Sequence, residues 1–259
     1  MKELASEPMQ IQGLPDGFKE GPYAFKHNNK YYLTFPWVQD KTETLAYAMA
    51  DSPMGPFTFT GIIMDESPSG CWTNHHSITE YNGQWYLFYH HNDYSPNFDK
   101  NRSARIDSLF FNTDGTIKKV KPTLRGVGIT DARSKIQIDR YSTISPYGVT
   151  IDYLEPSNTF EGWQTLFNRA GTWVTYNKVD FGTTPVKRLK ARVRSEKGGA
   201  ITLRTPGEKG MTIAELPIKP TGKWTEISTN VSNAPTSMQD LIITQTGENP
   251  VAVDWISFE

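Results

Sequence analysis

The first half of the chain alternates short apolar runs with turn residues, and no long helical periodicity interrupts this pattern. The runs have a period near two and are separated by Gly, Pro, Asn and Asp, which is typical of β-strands joined by tight turns. The sequence therefore predicts an all-β fold. The strands predicted in this half are 31–35, 45–49, 57–63, 85–89 and 106–111.

Two look-alike segments about 54 residues apart refine this prediction. The first, from His27, reads HNNKYYLTF, and the second, from Glu80, reads EYNGQWYLFY, so each is a polar turn followed by an aromatic strand. Strand-rich repeats with a period of roughly 40–50 residues are typical of β-propeller blades. Glu20 precedes the first segment and the pair His75-His76 precedes the second, so the interpretation places all three near a central axis.

The second half alternates more regularly and contains many Thr and Val residues. Its turns recur every 8–12 residues or so, which favours a β-sandwich. We place the boundary between the two parts at about 126–134, giving a partial propeller of residues 1–130 and a jelly-roll-like sandwich of residues 131–259. The strands predicted for the sandwich are 135–141, 172–179, 188–193, 200–205, 212–217, 223–230, 239–246 and 252–258.

Composition excludes some function classes. The formal net charge of -1 over 259 residues gives no basic surplus, so neither nucleic acid nor an anionic membrane is an expected partner. No apolar run approaches the ~20 residues of a membrane span, and the first twenty residues do not resemble a signal peptide. The single cysteine, Cys71, cannot form an internal disulfide. Aromatic residues make up 12% of the chain, which suits both a β-core and sugar stacking.

Three motifs in order resemble glycoside hydrolase family 43. They are EGPY from Glu20 with KYYL from Lys30, NHHSI from Asn74, and RSARIDSLFFN from Arg102 with DGTI from Asp114. The resemblance covers about residues 8–128 and implies a five-bladed propeller that cleaves arabinofuranosides or β-xylosides with inversion. It also implies that Glu20 is the general acid. The alternative is a glutamate in a surface turn.

An inverting glycosidase needs one carboxylic acid and one carboxylate base, ~6.5–9.5 Å apart. Aromatic neighbours that bury the acid would help to keep it protonated near neutral pH, and Phe18, Tyr23 and Phe25 flank Glu20 in sequence. About 130 residues supply only two to three blades, and the family's base lies in the first blades. We therefore expect the chain to be the C-terminal portion of a longer enzyme. The alternative is a non-catalytic carbohydrate-binding protein.

Four of the five histidines fall within residues 75–91, a clustering that raises the possibility of zinc. No HExxH spacing is present, and the family resemblance instead implies that His75 lies near a hydrated calcium ion on the propeller axis. His76 is a candidate substrate contact. The alternative is that these histidines satisfy hydrogen bonds in the core. Of Arg102 and Arg105, one is expected to reach a substrate hydroxyl and the other to form a salt bridge; we assign Arg102 to substrate.

Residues from about 135 onward resemble carbohydrate-binding module family 6. The motifs are IQIDRYS from Ile136, GTWVTY from Gly171 with VDFG from Val179, PTGKW from Pro220, and VDWISF from Val253. The resemblance implies a structural calcium ion held by Gln137, Asp139 and Asp254, on the first and last strands. Gln137 stands where glutamate is usual, which lowers the charge of the site.

The same resemblance implies a sugar-binding cleft with two aromatic rings and an amide. Phe167 and Trp224 occupy the ring positions, and Asn249 is the candidate amide. A core tryptophan is the alternative for Trp224. The two resemblances together imply a hemicellulose-degrading hydrolase with a binding module, whose partners are xylan, arabinoxylan or arabinan. A lectin-like or structural β-protein is the third possibility. Polymeric substrates imply that the full-length protein is secreted or periplasmic.

Overall fold

The structure, a computed structural model, describes residues 7–94, 99–207 and 210–259. It consists of two compact units, the first ending at Pro122 and the second beginning at Thr123. This division lies a few residues before the predicted interval of 126–134. Throughout the described ranges the regular structure is β-strand, apart from a single 3₁₀ helix at Thr159–Glu161. None of these residues forms a helix long and apolar enough to cross a membrane.

The first unit contains two antiparallel sheets whose strands follow in chain order. Such up-and-down sheets are the form of propeller blades. The four-stranded sheet consists of β1 (Tyr23–His27), β2 (Lys30–Val38), β3 (Glu43–Ala50) and β4 (Thr58–Met64). The three-stranded sheet consists of β5 (Ser77–Tyr81), β6 (Gln84–His91) and β7 (Ser103–Leu109).

The two look-alike segments form equivalent hairpins, β1–β2 and β5–β6. The turn residues Asn28 and Asn29 have φ of 46° and 61°, and Asn82 and Gly83 have φ of 50° and 76°. Two consecutive positive φ angles define the turn that matches the twist of a two-residue hairpin, and Asn and Gly tolerate them best. The repeated polar pair in the sequence therefore fixes both hairpins.

One apolar core joins the two sheets of the first unit. Tyr32, Leu45 and Ile63 from the first sheet pack with Ile78 and Leu87 from the second. Aromatic rings extend this core, since Phe25 stacks on Tyr32 at 4.7 Å and lies 5.2 Å from Trp85. The aromatic strands seen in the sequence thus supply packing between sheets.

The second unit is a sandwich of two sheets around a larger core. One sheet has the order β10-β13-β18-β15-β16, with β8 paired to β13, and the other has the order β11-β12-β19-β14-β17, with β9 paired to β19. The strands of the first sheet are β8 (Thr130–Asp131), β10 (Thr143–Ile144), β13 (Trp173–Asp180), β15 (Gly199–Arg204), β16 (Thr212–Ile218) and β18 (Met238–Gln245). Those of the second are β9 (Ile136–Gln137), β11 (Val149–Tyr153), β12 (Trp163–Phe167), β14 (Arg188–Arg194), β17 (Thr225–Asn230) and β19 (Val251–Phe258).

The sandwich confirms most strands predicted in the second half, but it adds β8, β10, β11 and β12, which were not predicted. It also shortens the predicted strand 135–141 to Ile136–Gln137. That short strand pairs with the last strand of the chain, with Gln137 opposite Trp255. Ile138 extends the contact by donating its backbone N–H to the carbonyl of Asp254 at 3.2 Å. The two ends of the sandwich sequence are therefore joined, as predicted.

Candidate functional site

Glu20 lies in the segment before β1, and its carboxylate Oε1 is 3.9 Å from Nε2 of His75. Gly21 makes this approach possible. It has φ of +68°, and a Cβ at this position would lie 3.0 Å from the Pro36 ring and 3.1 Å from the His75 ring. Because any larger residue would be both strained and crowded there, Gly21 lets the chain carry Glu20 up to the histidine.

The predicted burial of Glu20 among its sequence neighbours is wrong. Its side chain is 71% exposed. Phe18 packs against Phe35 with ring centroids 5.1 Å apart, and Phe25 stacks on Tyr32. Both aromatic rings are thus committed to sheet packing. Among the described residues, His75 supplies the close polar neighbour of Glu20 instead.

The segment 74–76 is held at three successive residues. The backbone N–H of Asn74 donates to Glu43 Oε2 at 2.7 Å, and that of His75 donates to His90 Nε2 at 3.1 Å. His76 Nε2 is 2.6 Å from the hydroxyl of Thr34. These contacts connect strands of both sheets to one loop, so the surrounding structure holds the backbone that places His75 next to Glu20.

The hydrogen bonds also assign the tautomer of His76. Thr34 donates its single hydroxyl proton to the carbonyl of Tyr23 at 3.0 Å, so its oxygen accepts from His76, and Nε2 of His76 carries the proton. Nδ1 of His76 is buried and has no partner among the described residues. Burial, followed by the nearby His75, lowers the pKa of His76 to about 4, so the ring is neutral at physiological pH.

His91, at the end of β6, is expected to make the stability of the first unit depend on pH. Burial, followed by the nearby charges of Arg105 and His90, lowers the pKa of His91 to about 3. In the unfolded chain the His91 ring takes up a proton as the pH falls through about 6.5, whereas in the folded protein it stays neutral. The stability of the folded state is therefore lost as the pH falls from about 6.5 towards 3. We expect His91 to contribute on the order of 2 kcal/mol to the loss of stability between pH 7 and pH 5.

Hydrogen exchange in urea, monitored over 77–109, measures this loss in the first unit. His91→Gln should reduce the pH dependence by about this amount, and the lowered pKa values of His76 and His90 should account for the part that remains. Identical pH dependence in the wild type and His91→Gln would contradict the assignment.

The two arginines of the RSARID motif take different positions. Arg105 is buried and forms an ion pair with Asp93, so it is the arginine that forms the expected salt bridge. Arg102 is exposed, and its charge contributes to lowering the pKa of His90, whose ring accepts from the backbone of His75. Arg102 thus lies in the electrostatic neighbourhood of the His75 loop, and its contact with substrate stays a prediction.

The predicted calcium ligands of the sandwich line one cavity of about 400 Å³. Asp139 and Asp254 are 3% and 6% exposed, and Gln137 and Glu161 share the same cavity. Burial raises the pKa of Asp254, while Arg192, whose Nη1 lies 2.7 Å from Asp254 Oδ2, opposes that rise. Among the described residues no three His, Cys, Asp or Glu side chains form a metal cluster. Two carboxylates and an amide nevertheless fit a hard cation in kind, with backbone and water oxygens completing its shell.

The predicted sugar-binding residues of the sandwich differ in exposure: Phe167 is fully buried, whereas Trp224 and Asn249 are partly exposed. Phe167 is 0% exposed and packs in the core, because it lies opposite Val149 on β11 and Val251 on β19. Its ring cannot stack on a sugar, so that prediction is wrong. Trp224 is half-buried just before β17, with the guanidinium carbons of Arg192 and Arg194 at 5.4 and 5.1 Å from its ring centroid.

Asn249 lines a second cavity, of about 330 Å³, together with Arg194. Arg194 therefore links the Trp224 ring to the cavity that Asn249 lines. The buried side chain of Gln245 donates to the backbone carbonyl of Asn249 and fixes the loop that carries it. The sequence analysis did not identify Arg194 as a site residue.

Family models match both units. Residues 4–117 match the glycosyl hydrolases family 43, and residues 145–259 match the carbohydrate binding module family 6. An arabinoxylan arabinofuranohydrolase of Paenibacillus polymyxa is 28% identical over 258 residues, which cover 88% of this chain and 40% of that protein. A β-xylosidase of Xylanibacter ruminicola is 43% identical over 109 residues, covering 41% of this chain and 32% of that protein.

A solved structure supports the same fold. It is a family 43 arabinoxylan arabinofuranohydrolase from Bacillus subtilis in complex with cellotetraose, with 24% identity and a TM-score of 0.57. The match covers 93% of this chain and 54% of that one. The chain spans well under half the length of the two relatives named above. It joins a segment of glycoside hydrolase family 43 to a carbohydrate-binding module of family 6.

Proposed function

We propose that the chain belongs to an inverting glycoside hydrolase that removes arabinofuranosyl or xylosyl groups from plant cell-wall hemicellulose. The observation that carries the proposal is the Glu20 carboxylate held 3.9 Å from His75 within the family 43 segment. Glu20 would protonate the departing glycosidic oxygen, while a carboxylate on the other side of the sugar activates water.

The chemistry requires Glu20 to carry a proton when the substrate arrives. A bound polysaccharide would cover the exposed carboxylate and remove it from water, which favours its protonated form. The His75 ring would orient the carboxyl group, and Arg102 would contact sugar hydroxyls. The predicted substrate contact of His76 is not proposed, because its Nε2 bonds Thr34 and its Nδ1 is buried.

The sandwich would bind the polymer and keep the hydrolase segment near its substrate. Trp224 and Asn249 are the proposed contacts. Xylan, arabinoxylan and arabinan are the proposed ligands, and such polymers imply a secreted or periplasmic protein. Depletion of the protein from solution by insoluble arabinoxylan, compared with an insoluble polymer without pentoses, tests this role. Equal depletion by both polymers would count against it.

Calcium is the proposed structural ion of the sandwich, held by Gln137, Asp139 and Asp254. When bound, it would neutralise the two buried carboxylates and join the first strand to the last. A hydrated calcium ion near His75 is the corresponding proposal for the first unit.

Calcium removal should lower the melting temperature of the sandwich. Binding to the folded state alone stabilises it by about 2.7 kcal/mol when calcium is at 100 times its Kd, and chelation removes this contribution. Calorimetry with calcium and with chelator measures the effect. Asp139→Asn should abolish the difference, and Asp152→Asn, at an exposed position on β11, should retain it. A full calcium response in Asp139→Asn would contradict this assignment.

A further inference from the structure

The cavity that contains Asn249 has an apolar floor and a charged wall. Its floor lies on adjacent strands, since Leu166 of β12 and Arg194 of β14 both lie opposite Ala252 of β19. Two loops enclose it, 195–198 and 246–250. We call it the Arg194 cavity; the residues that line it are Leu166, Arg194, Ser195, Glu196, Lys197, Asn249, Pro250 and Ala252. Its volume of about 330 Å³ is at the small end of ligand pockets, which suits one or two sugar rings.

The loop beside Arg194 is held firmly. Ser195 is buried and donates its hydroxyl proton between the carbonyls of Pro250 and Gly198, at 2.8 and 3.1 Å. Its backbone N–H donates to the hydroxyl of Thr221 at 3.0 Å. The wall of the cavity therefore does not need to be ordered when a ligand arrives, which lowers the entropic cost of binding.

Arg194 is oriented by Trp224. The guanidinium carbon lies 5.1 Å from the centroid of the indole ring, a distance typical of a cation–π contact. In the part of the chain that the structure describes, no hydrogen bond or salt bridge uses its N–H groups. The neighbouring Arg192 differs, because its guanidinium pairs with Asp254 at 2.7 Å.

In the described part of the chain, no neighbouring carboxylate forms a salt bridge with the Arg194 guanidinium. Glu155 is close enough for Arg194 to contribute to lowering its pKa, but its carboxylate mainly accepts from the backbone and hydroxyl of Ser157. Glu196 and Lys197, both exposed on the rim, offset each other in charge. A half-buried arginine with unused donors thus faces a small cavity whose floor is apolar.

We propose that the Arg194 cavity binds a carboxylate-bearing sugar, a uronic acid side group of hemicellulose, with Arg194 donating two parallel hydrogen bonds to the carboxylate. Guanidinium groups match carboxylates in this geometry, and such charged hydrogen bonds are about twice as strong as neutral ones. The sugar C–H face would lie on Leu166 and Pro250, and Asn249 would contact its hydroxyls. This inference rests on the proposed sugar-binding function and names its ligand class.

Calorimetric titration of the chain with two oligosaccharides tests the proposal. One is xylotetraose, and the other is xylotetraose carrying a single glucuronic acid. We expect the acidic oligosaccharide to bind about tenfold more tightly at low salt. Arg194→Gln should remove this preference, so that the ratio of the two affinities falls from about tenfold to about one. Arg188→Gln, an exposed arginine on the same strand, should leave both affinities unchanged.

The outcomes separate this inference from the proposed function. Equal affinity for the two oligosaccharides, sensitive to Trp224→Ala, would overturn the acidic ligand and leave sugar binding intact. A preference for the acidic sugar that persists in Arg194→Gln would also overturn the site. Binding of neither oligosaccharide would count against both the inference and the module's proposed role.

Discussion

Replacing Glu20 by glutamine is expected to reduce the release of pentose from arabinoxylan by about 10²–10⁴-fold in the full-length protein. Glutamine keeps the size and hydrogen-bonding shape of the side chain but cannot give a proton to the departing oxygen. Because Glu20 is largely exposed and packs against no core, the variant should fold normally. The loss should therefore appear in turnover rather than in protein yield.

The leaving group distinguishes a proton donor from a merely structural residue. An aryl glycoside whose phenol departs as a stable anion needs little protonation, so its hydrolysis should fall far less in Glu20→Gln than that of arabinoxylan. Glu80→Gln, at an exposed carboxylate on β5, is the matched control and should change neither rate. Equal losses on both substrates would show that Glu20 does not act as the acid.

Trp224→Ala should weaken binding of xylo-oligosaccharides to the chain by about 30-fold or more. This corresponds to roughly 2 kcal/mol, the loss expected when a buried aromatic anchor is removed from a binding site. The substitution removes the ring itself and also frees Arg192 and Arg194 from the surface that orients them. Both the stacking contact and the shape of the Arg194 cavity should suffer.

Phe160→Ala provides the control for this prediction. Phe160 is 99% exposed on the same unit and lies outside the Arg194 cavity, so removing its ring should leave the affinity unchanged. Calorimetry of both variants makes the comparison. Unchanged affinity in Trp224→Ala, or a loss of affinity confined to Phe160→Ala, would show that the binding surface lies elsewhere.

The elements predicted well from the sequence are those with local signals. Strands β2 and β6 were predictable because each is aromatic and follows two turn residues that tolerate positive φ, whereas their hairpin partners β1 and β5 were not predicted. Strands β11 and β12 were not predicted. Each spans five residues. β11 pairs with β12, and β12 pairs with β19, which comes about ninety residues later in the chain. Pairing at that distance leaves no mark in a short window of sequence.

The positions of single side chains in the site were also hard to predict from the sequence, because they depend on packing and on contacts distant in the chain. Phe167 was assigned to the cleft, but side chains alternate along a strand, so its ring enters the core while the adjacent Leu166 lines the cavity. Glu20 was expected among aromatic rings that in fact pack into the sheet. Arg194 was not predicted as a site residue because basic and apolar residues alternate along β14, which is typical of any half-exposed strand. The basic residues are Arg188, Lys190, Arg192 and Arg194. What distinguishes Arg194 is its contact with the Trp224 ring, and Trp224 lies thirty residues away in the sequence.

The convergence of Gln137, Asp139 and Asp254 in one cavity agrees with the sequence analysis, because pairing of the first and last strands follows from the sandwich itself. The ion pair between Arg192 and Asp254 could not be foreseen, since it depends on how β14 and β19 are aligned across their bulge.

Proton NMR of the reaction can show whether Glu20 acts in an inverting hydrolysis of hemicellulose. The full-length protein is mixed with arabinoxylan, and the anomeric signals of the released pentose are followed before they equilibrate. We expect the first product to have the anomeric configuration opposite to that of the bond cleaved, and Glu20→Gln to suppress its release. A first product of retained configuration, or release unaffected by Glu20→Gln, would contradict this expectation.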